Sequence, residues 1–325
     1  MRWSPRSRAV SSVVQPLTMP ALVEPGDRVA VVALSGPVRT DALERGLDWL
    51  RSCGLEPVEA SGLRHRGGHG MAFVAGDDRT RLADLVEAWC DPEVAAVLCA
   101  RGGDGAPRLI EHLPWTRLTA ATPTVFAGLS DITTLHQAFA AGLGVATLWS
   151  PMPATCALAG CDGTDADPWS RQGLLDALLA QPSQRRSVLA GETMAGAGSV
   201  EAPLVGGTVS LLAAMAGTPG ATPAAGAIAV LEDVNEEPYR IERFLTQLRR
   251  SGFFDGVAGV ACGDFVDCGP PVQLRAVFED RLGDLGVPVV AGLPFGHGPR
   301  QASLWLGRPA TLDADHGTLA QPRPA

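Results

Sequence analysis

The stretch Gly128-Leu129-Ser130-Asp131 places a hydroxyl where nucleophilic chemistry could be done. It joins the apolar run Thr124-Val125-Phe126-Ala127 to a helical pattern with Ile132, Leu135, His136 and Phe139 at i, i+3, i+4 and i+7. Ser130 is therefore expected on a strand-to-helix turn, with the first N–H groups of the helix free to meet an anion. Ser followed by Asp also reads as an ordinary helix N-cap, so the turn alone does not decide. A serine nucleophile needs a base within hydrogen-bond reach, an acid to orient that base, and donors for an oxyanion. No Lys occurs, and all 26 basic side chains are Arg. That excludes a Ser–Lys dyad, a Lys Schiff base and a P-loop Lys, and leaves His or a carboxylate as the base.

Of six His, His297 is the best placed, because Gly296 and Gly298 flank it just past a strand pattern and leave the imidazole uncovered. His65 and His69 are separated by Gly67 and Gly68 and make a poor zinc pair. His112 and His136 lie in helical patterns and read as packing or surface positions, and His316 reads as part of a polar tail. Glu232 follows five apolar residues, so it stands at the end of a buried strand, where a carboxylate is costly unless paired. Its partner is an imidazole or, in a purely structural arrangement, Arg240 or Arg243; Asp233 is the adjacent alternative. Arg101-Gly102-Gly103-Asp104-Gly105 follows another strand. It lacks the Gly-x-Gly-x-x-Gly register and the P-loop Lys, so dinucleotide or triphosphate binding is not indicated. Its N–H groups could serve an oxyanion and Arg101 a substrate carboxylate, with Gly102 and Asp104 as further substrate-binding residues, or the segment is a tight turn and nothing more. The order Ser, Glu, His also occurs in α/β-hydrolases, but their elbow needs Gly two residues after the Ser, where this chain has Ile132. No His-Glu-x-x-His occurs, which argues against a zinc peptidase.

Regular elements must carry these residues. Strand patterns at 28–34, 55–60, 95–100, 124–127 and 145–149 alternate with helical patterns at 40–53, at 77–89 and after Ser130. This is α/β organisation, with a parallel sheet, helices on both faces and ligands at the carboxyl ends of the strands. A length of 325 residues predicts about two domains. The expected division is a nucleophile domain over 21–160, a connector over 161–200 around one amphipathic helix at 174–179, and a C-terminal domain over 201–325 carrying Glu232 and His297. Residues 1–20 lack the apolar core of a secretory signal and read as a disordered tail, or as an extension ahead of a start at Met19.

Composition narrows the class further. No apolar run reaches the ~20 residues of a membrane span, and a net charge of −9 argues against a nucleic-acid partner. The seven Cys form no regular framework, and Cys156/Cys161 and Cys262/Cys268 lack metal-site spacing. The expectation is a reducing cytoplasm, with no metal and no cofactor.

Taken together, the motifs resemble those of the LD-carboxypeptidases, the muramoyltetrapeptide carboxypeptidase family of serine peptidases, which includes the microcin C self-immunity peptidases. The matching stretches are Glu24 to Ala33, Ala100 to Gly105, Gly128 to Thr133, Gly206 to Leu212, Leu231 to Val234 with Pro238 to Ile241, and Gly292 to Gly298. They run in family order over nearly the whole chain. The resemblance implies that Ser130 is the nucleophile, His297 the general base and Glu232 its orienting acid. It implies that the N–H groups of Asp131 and of Gly103 (or Gly102) form the oxyanion hole. It also implies a Rossmann-like N-terminal half, a C-terminal α/β half, a site between them, and a homodimer. One departure is Asp104, where the family has Tyr or another bulky residue; a carboxylate there disfavours an anionic substrate group unless Arg101 or Arg108 offsets it.

The expected activity is release of terminal D-Ala from muropeptide tetrapeptides through an acyl-enzyme, during cytoplasmic cell-wall recycling. Two other readings stay open. One is hydrolysis of a peptidyl- or aminoacyl-nucleotide toxin, with Trp169 in the connector stacking the base. The other is a sugar-peptide binding protein that has lost catalysis.

Overall fold

The computed structural model describes residues 14–161, 163–179 and 186–322. Val29 and Val31 of the strand Arg28–Val32 point to one face and Ala30 and Val32 to the other, and all four are buried. A strand that is apolar on both faces must be covered on both, as in the interior of a parallel sheet. It lies in a six-stranded sheet of spatial order Leu304–Leu306, Thr147–Trp149, Val125–Gly128, Val94–Cys99, Arg28–Val32, Glu56–Glu59. Five of these strands are parallel, and Leu304–Leu306 runs antiparallel at the edge. Leu43, Leu47 and Leu50 of the helix Thr40–Ser52 pack with Val29 and Val31. Leu85 and Trp89 of the helix Asp78–Cys90, and Leu135 and Phe139 of the helix Thr133–Leu143, pack with Val32 and Val97 on the opposite face.

The second sheet has eight strands, in the order Arg186–Ala190, Thr318–Pro322, Pro309–Asp313, Ser199–Thr208, Ile228–Val234, Gly259–Val266, Val289–Ala291, Glu192–Ala195. The run from Ser199–Thr208 to Val289–Ala291 is parallel and the flanking strands are antiparallel. Ile241, Leu245 and Leu248 recur at helical spacing on Pro238–Ser251 and cover Ala229 and Leu231. On the other face Ile228 and Val230 join Val32 and Phe126 of the first sheet in one continuous core. The two sheets are thus packed through shared apolar side chains, which fixes the strand ends of one against those of the other.

Some elements differ from the sequence reading. The connector carries the helix Pro168–Leu178, and the strands Arg186–Ala190 and Glu192–Ala195 belong to opposite edges of the second sheet. His316 is not in a polar tail but in the turn of the hairpin Pro309–Asp313/Thr318–Pro322, where its Nδ1 lies 2.9 Å from Asp313 Oδ2. Residues 1–13 of the expected tail lie outside the described residues. The segment after them is bonded to the body: Val14, Leu17 and Thr18 donate main-chain bonds to Ala225, Gly307 and Gly144. No helix among the described residues is long and apolar enough to cross a membrane.

Candidate active site

Ser130 follows the fully buried strand Val125–Gly128 and opens a short 3-10 turn, Ser130–Ile132, that feeds the helix Thr133–Leu143. Its φ is +67°, in the left-handed region that a side chain occupies at a cost of about 1–3 kcal/mol. The surroundings hold it there. Thr133 Oγ1 donates to the Ser130 carbonyl at 2.6 Å. His136 Nε2 donates to the Gly128 carbonyl at 2.9 Å, and its Nδ1 accepts from Thr147 Oγ1 at 2.8 Å. Complete burial pushes the His136 pKa down to about 4, so this ring is a neutral brace, in keeping with a packing role. The N-cap reading of Ser130 does not hold, because no side-chain cap bond forms at this turn. Asp131 does not cap its own helix either; its Oδ2 accepts from Ala106 N at 2.8 Å. Burial pushes the Asp131 carboxyl up to about 6, against the pull of the Ala106 N–H.

The Gly-rich loop lies directly against the serine. A Cβ on Gly102 would come within 2.7 Å of Ser130 Cβ and 2.8 Å of its Oγ, so only glycine permits this approach. Gly36 N donates to the Gly102 carbonyl at 3.2 Å. In a trans peptide the next N–H points the opposite way, so the Gly103 N–H is turned away from Gly36. Arg101 is half-buried; its Nε donates to the Gly102 carbonyl and its Nη1 to the Pro37 carbonyl, both at 3.1 Å. Burial lowers its pKa from the ordinary value. Asp104 is exposed and stands outside the cavity wall, and Arg108 is engaged by Asp78.

Glu232 ends the apolar part of Ile228–Val234 and is fully buried. Oε1 accepts from Thr208 Oγ1 at 2.6 Å, and Oε2 lies 2.6 Å from His297 Nδ1. The arginine pairing left open by the sequence does not occur: Arg240 engages Glu236 and Arg243 lies over Tyr239. Asp233 points elsewhere, accepting from Ser210 N at 2.7 Å at the start of the helix Val209–Met215 and from Val234 N at 2.9 Å. Gly296 has φ +107°, and a Cβ there would lie 2.6 Å from Glu232 Oε2, so a glycine is what lets the His297 loop close over the acid. Burial works against a charged His297, but the Glu232 charge and hydrogen bond, with Asp233 and Asp264, outweigh it and raise the pKa.

Ser130, His297, Arg101, Gly102 and Gly103 line one cavity of about 330 Å³, closed by Met152, the Cys156 to Cys161 segment and Gln301. Two features of its surroundings were not read from the sequence. Cys156 and Cys161 form a disulfide in the wall, which no Cys spacing announces, while Cys53, Cys90, Cys99, Cys262 and Cys268 are free. Asp264 packs against Gly298, whose Cβ would meet its Oδ2 at 2.0 Å, and burial with the Glu232 charge pushes its carboxyl up to about 6. The signal for Asp264 was present, since it follows the apolar run of Gly259–Val266 much as Glu232 follows its own. Trp169 is partly exposed at the start of the helix Pro168–Leu178 and does not line the cavity.

Two packed α/β domains bring Ser130 and the His297–Glu232 pair to one cavity. The family models for the LD-carboxypeptidase N-terminal and C-terminal domains match residues 29–150 and 201–312. A relative from Streptomyces coelicolor is 49% identical over 311 residues, 95% of this chain and 97% of its own length. The murein tetrapeptide carboxypeptidase of Pseudomonas aeruginosa is 34% identical over 310 residues, 89% of this chain and 94% of that protein. The crystal structure of muramoyltetrapeptide carboxypeptidase from Oxalobacter formigenes superimposes with a TM-score of 0.78 at 28% identity, over 90% of this chain and 97% of that one. MccF in complex with glutamyl sulfamoyl guanosine shares the fold, with a TM-score of 0.80 at 19% identity over 95% and 99%. This chain belongs to the LD-carboxypeptidase family and is a serine-type carboxypeptidase.

Proposed function

We propose that Ser130 is the nucleophile, His297 the general base and Glu232 its orienting acid, in an enzyme that releases terminal D-Ala from muropeptide tetrapeptides. The observation that carries this reading is the 2.6 Å bond from His297 Nδ1 to the buried Glu232, at the wall of the cavity that Ser130 lines. A carboxylate on Nδ1 keeps the proton there and leaves Nε2 to take the Ser130 proton. Ser130 Oγ bonds to the carbonyl carbon at the L-centre of the diamino acid, and the oxyanion meets the Gly103 and Asp131 N–H groups. The C–N bond breaks as His297 returns the proton to the leaving amine of D-Ala. Water then loses a proton to the same imidazole and attacks the ester, and the Ser130 hydroxyl is restored. Arg101, with Gly102 beside it, is assigned to the terminal carboxylate, while Asp104 stays outside that contact.

The name of the Pseudomonas aeruginosa relative supports the tetrapeptide as substrate. The family resemblance extends the reading to a cytoplasmic homodimer, which cell fractionation and light scattering test. The activity is tested by a mass-spectrometric screen of muropeptide tetrapeptides against aminoacyl-nucleotides. D-Ala release that disappears in Ser130→Ala is expected. Turnover of the nucleotides alone would refute the substrate class, and absence of both turnover and fluorophosphonate labelling would mean a binding protein.

A further inference from the structure

Ser130 stands on the first domain and Glu232 and His297 on the second, so their alignment needs a fixed link. Thr133 is fully buried and Thr208 nearly so. Thr133 Oγ1 donates to the Ser130 carbonyl at 2.6 Å and accepts from the Thr208 N–H at 3.1 Å. Thr208 Oγ1 donates to Glu232 Oε1 at 2.6 Å, and Glu232 Oε2 meets His297 Nδ1 at 2.6 Å. Four short bonds therefore run without a break from the serine's own peptide to the imidazole. The sheet explains the last part: Thr208 and Glu232 are register partners on adjacent parallel strands, which brings hydroxyl and carboxylate together. Gly207 explains the crossing. Its φ is +141°, and a Cβ would lie 2.7 Å from both Thr133 Oγ1 and Cγ2, so a bare Cα is what lets the helix start seat on this strand. A threonine that bonds the carbonyl three residues back is a common local device; its second bond, to another domain, is not local.

We propose that Thr133 and Thr208 are positioning residues that hold the Ser130 turn in register with the Glu232–His297 pair. The inference rests on the reading of Ser130 as nucleophile. No proton travels along the link; it sets geometry.

The test compares Thr133→Val, which keeps the shape and deletes the hydroxyl, with Thr133→Ser, which keeps the hydroxyl. Each is read by kcat and KM on the tetrapeptide and by the rate of Ser130 phosphonylation by a fluorophosphonate, which needs no peptide. Displacing reacting atoms by about 1 Å costs on the order of 100-fold, so Thr133→Val should lose about 10- to 100-fold in kcat and labelling rate with KM unchanged. Thr133→Ser should return both close to wild type. A Thr133→Val enzyme with wild-type kcat, or one that changes KM alone, overturns the proposal. If circular dichroism finds Thr133→Val unfolded, Thr208→Val and its rescue Thr208→Ser carry the same expectations and the same refutation. A wild-type enzyme that labels but ignores the tetrapeptide rejects the substrate class only. One that does neither overturns the reading of Ser130 on which this proposal stands.

Discussion

Replacing Glu232 by Gln removes a charge with almost no change of shape, and the structure sets the size of the effect. The carboxylate contacts the imidazole at 2.6 Å and is fully buried. Unit charges about 4 Å apart at an effective dielectric near 20 interact by about 4 kcal/mol, which is the stabilisation that a forming imidazolium would lose. At 1.36 kcal/mol per decade this is about 10³-fold in kcat/KM. The new amide has two orientations. With its oxygen on Thr208 Oγ1, as Oε1 is now, its NH2 faces Nδ1, the imidazole proton moves to Nε2, and the base is disabled; the wrong tautomer in a serine protease costs about 10⁴-fold. With the oxygen on His297 the tautomer survives and only the charge is lost. Glu232→Gln should thus lose about 10³- to 10⁴-fold. The measurement is D-Ala release coupled to D-amino-acid oxidase, from pH 5 to 9. The acid limb of kcat/KM should also move to lower pH, because Glu232 is a principal cause of the raised His297 pKa. A loss under about tenfold with an unmoved acid limb would refute Glu232 as the orienting acid.

Arg101→Ala should raise KM for the tetrapeptide by one to two orders of magnitude, the ~1.5–3 kcal/mol of a charge-assisted hydrogen bond, and leave kcat less affected; equal KM values would remove Arg101 from carboxylate binding. Asp233 tests linkage. Burial raises its folded carboxyl from 3.8 to about 6 despite the Ser210 and Val234 N–H groups, so the folded chain holds this proton more tightly than the unfolded chain. Its stabilisation is fully present below the unfolded value and is lost as pH rises from about 4 through the folded value of about 6. Asp233→Asn, with one oxygen for two N–H donors, should be less stable than wild type at pH 4.5, and the gap should shrink by about 2 kcal/mol by pH 7.5. A gap in urea-unfolding free energy that does not change with pH would contradict this. Thiol titration of the denatured, unreduced chain should find five reactive Cys, and seven after reduction; seven without reductant would rule out the Cys156–Cys161 bond.

What the sequence determined was local. The switch from a strand period to a helix period at Gly128-Leu129-Ser130 marks the turn, because periodicity is carried by neighbouring residues. Glu232 is conspicuous because an acid ending an apolar run must find a partner, and His297 because glycines flank it. The absence of Lys and the order of the motifs complete that reading. The tertiary structure decided which groups meet. Whether Glu232 takes His297 or an arginine, and whether it or Asp233 faces the imidazole, depends on strand register and on which face a side chain leaves the strand. The φ of +67° at Ser130 is held in part by its own helix, through Thr133 and His136, and in part by the Gly102 backbone and by Thr147 behind His136, which come from other parts of the chain. Leu304–Leu306 completes the edge of the first sheet against Thr147–Trp149, a pairing over more than 150 residues that no local pattern announces. Cys156–Cys161 and the Thr133–Thr208 link were hidden for the same reason. Composition and period constrain each segment by itself, whereas contact between segments is fixed only when both sheets close on their shared core.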